Sequence, residues 1–445
     1  MSTLSTPSAK AHERVTGRWL RDIQVATRKD WMVYYAKSLI GTPIPWLFAA
    51  IGILSSVSRA GSEIASWTTA LLTVLYIAID RFARTREFSF FRIGADFFLA
   101  GLALVGLIGA VTSPSISLGV ATIGDLRWIF LLYTFTYCWE LFPGLNRVFL
   151  FVTAAASLVA GYGIWQHFMG LDLLSGATLP DAPVKGHPYF IPTGLLGTPE
   201  AFGTLLATLI PFPAAAFFLS DRGEGWREKW IPLVVVSLFA VAILLTYRPG
   251  LWLAAGVGIL VTLIMQAKRI GIFFATLAIV LGTVSFAFYD SPQSMLEGVQ
   301  ASESLRAERQ RAQINTQVEA WQKSVAIGVG HEATEAGAYD TGTGNVYFHI
   351  LAQTGVLGAA LYLLFILSFL LGTYRIFQEI PSTHTWHRVM IAGGLGSQIA
   401  FHAAGLYWVT FAEALTMNLF IVILSAMSYI SEHYSRGLVS DDVSL

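Results

Sequence analysis

The sequence predicts an all-α polytopic membrane protein, and three observations carry that expectation. Hydrophobic residues make up 55% of the 445 and charged residues only 13%, against about 25% charge in a soluble domain. The mean hydropathy is +0.61. Apolar runs recur along the whole length, each close to the roughly 20 residues that cross ~30 Å of hydrocarbon as a helix. A β-barrel would show alternating segments of about 10 residues, which are absent.

About twelve spans are expected, at roughly 39–57, 64–80, 94–112, 125–141, 148–168, 200–220, 231–246, 250–267, 271–289, 346–373, 388–407 and 411–430. The tenth is long enough to bend or break, with Gly355 and Gly358 as the flexible point. Residues 1–38 are polar and basic, and are expected to be a cytoplasmic segment rather than a cleaved signal peptide. Residues 39–430 form the membrane domain and 431–445 a cytoplasmic tail. The single cysteine, Cys138, lies in an apolar run, so neither a disulfide framework nor a cysteine metal site is expected. A formal net charge of zero gives no electrostatic support to nucleic-acid binding.

Lys and Arg set the orientation. With the N-terminus inside, 20 of the 28 fall on inside segments, including Arg81, Arg84, Arg86 and Arg92 between the second and third spans. Both termini are then inside. Three features share the outside: the loop 169–199, the longest loop 290–345, and Arg248, in Thr246-Tyr247-Arg248-Pro249-Gly250. A charge at the edge of a bilayer core is costly and is a functional candidate by default. Long ordered loops are usually functional as well.

The longest loop carries an amphipathic helix, read from Leu305, Ile314, Val318, Trp321 and Val325. Arg306, Arg309 and Arg311 sit near its start, either as a solvated charge face or as a cationic rim that holds phosphate through bidentate bonds. Beyond it lie Ile327-Gly328-Val329-Gly330-His331 and a polar stretch with Glu332, Glu335 and Asp340. No spacing there suits a metal, and no metal or other cofactor is expected. The 169–199 loop holds Lys185, His187 and Tyr189, then runs into Pro199-Glu200. Pro199 suits a first helical turn, and Glu200 there complements the helix dipole. His402, late in the eleventh span, and Glu413, early in the twelfth, are further outward ionisable residues that either pack or bind.

Four stretches, taken together and in order, resemble the O-antigen ligase and O-antigen/exopolysaccharide polymerase family of bacterial inner-membrane glycan transferases. Gly194–Phe202, running to Ile210-Pro211, is similar to a Gly-x-x-x-x-Pro-Asn segment that opens a helix ending in Pro. Thr246–Gly250 is similar to a Thr-x-Ser-Arg-Gly motif. Val318–Trp321 through Gly328-Val329-Gly330 resembles a Trp-bearing helix followed by Gly-Val-Gly. Asn345–Phe348 through Gly355–Gly358 resembles a His-Asn-x-x-Leu…Gly-x-x-Gly signature. The resemblance covers roughly 194–358.

It implies a GT-C-like fold and a metal-independent transfer of glycan from undecaprenyl diphosphate to an acceptor glycan or glycolipid at the periplasmic face. Membrane lipids and other polysaccharide-assembly proteins are the implied company. Arg248 becomes the candidate for stabilising the leaving diphosphate, with Arg306, Arg309 and Arg311 beside it. Lys185, His187, Glu200, Asn345 and His402 become candidate binding residues. Three positions depart from the pattern: Gly344 replaces the signature histidine, Glu200 replaces Asn, and Tyr247 replaces Ser. His349, one helical turn after Asn345, is a candidate substitute base, with His331 and Asp340 as rivals. Loss of the histidine tilts the expectation from ligation to lipid A core toward polymerisation. A lipid-linked sugar transporter would place charge at the midplane, where few charges fall. A carrier-lipid binder without turnover would fit Gly344.

Overall fold

The computed structural model describes residues 28–55, 57–83, 95–142, 148–182, 189–219, 226–265, 308, 310–330, 345–412 and 414–436. In chain order the helices are α1 (Arg28–Gly41), α2 (Pro43–Leu54), α3 (Arg59–Ala83), α4 (Asp96–Val111), α5 (Ile116–Asp125), α6 (Arg127–Leu141), α7 (Val148–Met169), α8 (Pro199–Leu209), α9 (Pro211–Leu219), α10 (Trp226–Leu244) and α11 (Pro249–Ile264). A helix over 310–323, α12, follows. Then come α13 (Val346–Glu379), α14 (Thr385–Ala404), a short 3-10 turn at Thr410–Ala412, and α15 (Ala414–Ser435). Two isolated β-bridges in the 171–190 loop are the extended pairings among the described residues.

The all-α membrane architecture is as expected. Six helical stretches among the described residues are long and apolar enough to cross a membrane. The expected span 271–289 lies outside the described residues, and each of the others coincides with a helix or helix pair. Two details differ. The first apolar stretch begins at Val33, because α1 runs almost directly into α2 at Thr42. An unexpected helix, α5, abuts α6 at Leu126. Its N-cap Ser115 accepts a bond from Leu118 N–H at 3.3 Å, which starts a helix where only a loop was expected.

The outward faces are what lipid would cover. Leu363, Leu367 and Leu371 on α13, and Ile64, Leu71 and Leu75 on α3, recur at helical spacing and are exposed. Between α11 and α14 the contact is made through small residues. A Cβ on Gly396 of α14 would lie 2.5 Å from the Gly258 carbonyl of α11, so the two backbones approach as closely as glycine permits.

The break in the tenth expected span falls at Gly355, with φ 65° and ψ −172°. Gly358 stays helical, packed under the Thr354 side chain. A break inside a membrane helix frees backbone groups that must find partners. They find them in the 325–330 strap. Val356 and Leu357 N–H donate to the Val325 and Ala326 carbonyls at 2.9 and 3.2 Å. Val329 and Gly330 N–H donate to the Ala352 and Gln353 carbonyls, both at 2.9 Å. Gly328 and Gly355 both have positive φ, and a Cβ on either would sit 2.3 Å from the opposing backbone.

Gly355→Ala is therefore expected to cost about 1–3 kcal/mol or more, read as a lower thermal unfolding midpoint in detergent. Gly372→Ala, in the same helix with nothing within 4 Å of the added carbon, is the control and should cause no loss.

Candidate active site around Arg248

The ends of α7, α10 and α14 and the beginnings of α8, α11 and α13 meet at one end of the bundle. Arg248 is positioned by a tight sequence of local constraints. Thr246 N–H and Oγ1 both donate to the Ile243 carbonyl, at 3.1 and 2.6 Å, and Trp252 Nε1 donates to the same oxygen at 3.1 Å. Tyr247 then adopts the left-handed conformation, φ 54°. Arg248 is extended, φ −117° and ψ 93°, as a residue before proline prefers, and Pro249 starts α11.

A left-handed tyrosine costs on the order of 1–3 kcal/mol and persists here because its ring is fully buried. It plugs a small core made of Ala182 and Ile191 from the loop between α7 and α8, with Tyr189 and Trp252 against it. The His167 ring stands 6.0 Å away and stacks on Tyr189 at 4.9 Å. His167 Nδ1 bonds the Phe190 carbonyl at 2.7 Å, which fastens the loop to α7. The loop is also shaped by Asp172, which accepts from Tyr162, Ser175 and Leu174. The Ser175 hydroxyl, and then the Tyr162 hydroxyl, hold its carboxyl below the usual range.

Glu200 comes from the other side. Thr198 caps α8, its Oγ1 accepting from Ala201 N–H at 3.2 Å, and Pro199 takes the first turn as expected. Glu200 is buried near that N-terminus and accepts from Arg248 Nε at 2.7 Å. The two side chains are 18% and 7% exposed. Arg248 Nη1 and Nη2 make no hydrogen bond among the described residues. The free edge of the guanidinium is therefore a two-donor fork, the geometry that grips a phosphate oxygen pair.

Asn345 caps α13, its Oδ1 accepting from Tyr347 and Phe348 N–H and its Nδ2 donating to the Leu406 carbonyl at 3.1 Å. Its amide thus holds backbone. His349 is one turn further on and buried. Turn 405–408, which no sequence motif marked, ties these pieces together. Tyr407 packs where a Cβ of Gly250 would be. Trp408 Nε1 donates to Thr204 of α8 at 2.9 Å. Leu406 also accepts from Gln310 of α12 at 3.2 Å. Its sequence signal is a Gly-Leu-Tyr-Trp run closing a span.

Arg311 is exposed on α12. His402 is enclosed by the rings of Tyr347, Tyr362, Phe401 and Phe420. It lies in the last turn of α14, where aromatic packing surrounds it. Lys185, His187, Arg306, Arg309, His331, Asp340, Gly344 and Glu413 lie outside the described residues. No three His, Cys, Asp or Glu side chains gather among the described residues in a way that would hold a metal ion.

Residues 234–363 match the family model described as O-Antigen ligase. The match supports the O-antigen ligase and polymerase family that the four motif stretches resemble, and with it glycan transfer of ligase or polymerase type. It spans Arg248, Asn345 and His349, while Glu200 and turn 405–408 lie outside it and are joined to it by the geometry above. A search of the curated proteins finds no match.

Glu200→Ala should leave the half-buried Arg248 charge unpaired, at a cost of on the order of 3 kcal/mol. Glu200→Gln keeps an oxygen acceptor for Nε and should lose far less. Thermal unfolding of both variants in detergent checks this. Equal losses would show that the Nε bond does not hold the arginine.

Proposed function

We propose that the protein transfers a glycan from undecaprenyl diphosphate to a hydroxyl of an acceptor sugar. The transfer takes place at the periplasmic face of the bacterial inner membrane, without a metal ion, and polymerises a surface polysaccharide. The observation that carries this reading is the open fork of Arg248, set by Glu200 at the outer end of a membrane bundle. In the transfer, the acceptor oxygen bonds the anomeric carbon as the bond from that carbon to the diphosphate oxygen breaks. The electron pair leaves with the diphosphate, and Arg248 binds that growing charge through Nη1 and Nη2. The acceptor proton needs a base, and His349 is the candidate. The side of the membrane follows from the Lys and Arg bias. Ligation to lipid A core is the second reading, favoured by the description of the matched family. Gly344 in place of the signature histidine favours polymerisation.

The test is release of undecaprenyl diphosphate by purified protein given lipid-diphosphate-linked glycan, with and without acceptor. Arg248→Ala should abolish release with the fold intact. Arg248→Lys should recover little, because lysine lacks the bidentate fork. Near-normal turnover of Arg248→Ala would remove the diphosphate role. For His349→Ala, a slower rate and an altered pH profile are expected, and no change in either would dismiss the base.

A further inference from the structure

The innermost face of α12 is not its apolar stripe. Ile314, Val318 and Trp321 are only half-buried and Val325 is exposed. The innermost positions, one turn apart, are Gln313, Gln317 and Ala320. Gln317 is 1% exposed, and among the described residues neither of its amide atoms has a hydrogen-bond partner. Gln313, one turn earlier, is buried on the same face. An amide buried without partners is costly, and leucine would fill the same space without that cost. Nothing in the packing among the described residues explains the amide of Gln317 here.

Their position is informative. The Leu406 carbonyl accepts from both Gln310 at the start of α12 and Asn345 at the start of α13. Further along, Ala320 packs on Ala352. The two helices therefore run side by side in the same direction. Gln313 and Gln317 lie between those contacts, alongside the first turns of α13 that carry His349. The near end of this seam is Leu406, next to Tyr407, which packs on Gly250 two residues from Arg248.

We propose that the seam between α12 and α13 is the subsite for the acceptor sugar, and that Gln317 and Gln313 bind its ring hydroxyls. A side-chain amide donates to one hydroxyl through Nε2 and accepts from its neighbour through Oε1, so adjacent hydroxyls answer both orphaned atoms. Two such amides stand about 5–6 Å apart on a helix face, a spacing that engages one or two sugar rings. In this structure α12 is seated over the subsite. Entry of a sugar lifts it from α13, with the Gly328-Val329-Gly330 strap as the fixed end. This assignment rests on the glycan-transfer reading.

The probe is a set of fluorescently labelled oligosaccharides released by mild acid from the surface polysaccharide of the source cells, titrated against the detergent-solubilised full chain. Wild-type protein should bind them, and Gln317→Leu should bind on the order of tenfold more weakly, with an unchanged or higher unfolding midpoint. Gln313→Leu should show a smaller loss. Equal binding by Gln317→Leu, or no binding by wild type, overturns the subsite. So does a clear fall in the Gln317→Leu unfolding midpoint, which would make the amide a structural group. Release of undecaprenyl diphosphate is measured separately. Turnover with an unchanged acceptor KM in Gln317→Leu would overturn the subsite and leave transfer standing. Binding lost in Gln317→Leu, with no release by wild type, would support the sugar site and count against transfer.

Discussion

A guanidinium at the edge of a bilayer needs a partner, and the way it is partnered decides what else it can do. Here the partner is Glu200, and the bond runs through Nε at 2.7 Å. That choice of nitrogen matters. A carboxylate on the Nη edge would occupy the fork that grips phosphate. A carboxylate on Nε offsets the desolvation of the arginine while aiming its two-donor edge elsewhere. The pair also explains the departure at position 200, where the resembled motif has asparagine. The acid sits on a helix N-terminus that favours its charge, so both members of the pair are stabilised by what surrounds them.

The surroundings are equally specific. Arg248 holds its pose because Tyr247 is held, and Tyr247 is held because its ring closes the small core of the loop between α7 and α8. The loop in turn is fastened to α7 by His167. On the other side, turn 405–408 reaches α8, α11, α12 and α13 within four residues. The site is built from helix ends that belong to distant parts of the chain. Its geometry is a property of that junction rather than of any one helix.

Much of this was legible beforehand. Run length and composition placed the helices, because a bilayer imposes a fixed apolar length. Gly355 was readable as the break, and Arg248 as the costly charge, because each violates the pattern of the helix around it. Pro199 marked a helix start for the same reason. What escaped was every relation between residues far apart in sequence. Glu200 read as a local dipole partner, although its main bond crosses 48 residues. Asn345 read as a binding residue, although its amide is committed to capping. Turn 405–408 carried no motif. The glutamines on the inner face of α12 escaped because apolar periodicity draws attention to Ile314, Val318 and Trp321 instead. The half-buried Ile314 and Val318 show how periodicity fails on a helix that has two apolar surroundings.

The stitching between the 325–330 strap and the break at Gly355 has a consequence for how such chains diverge. All four bonds join backbone to backbone, so they place no demand on the side chains of Val325, Ala326 or Val329. They demand only that glycine stand where a side chain would collide. A lineage can therefore exchange nearly every side chain across this junction and still close it, provided the glycine spacing survives. That is the state of this sequence. Its Gly-Val-Gly and Gly-x-x-Gly remain readable, while positions 200 and 247, whose side chains build the site, differ from the motifs they resemble.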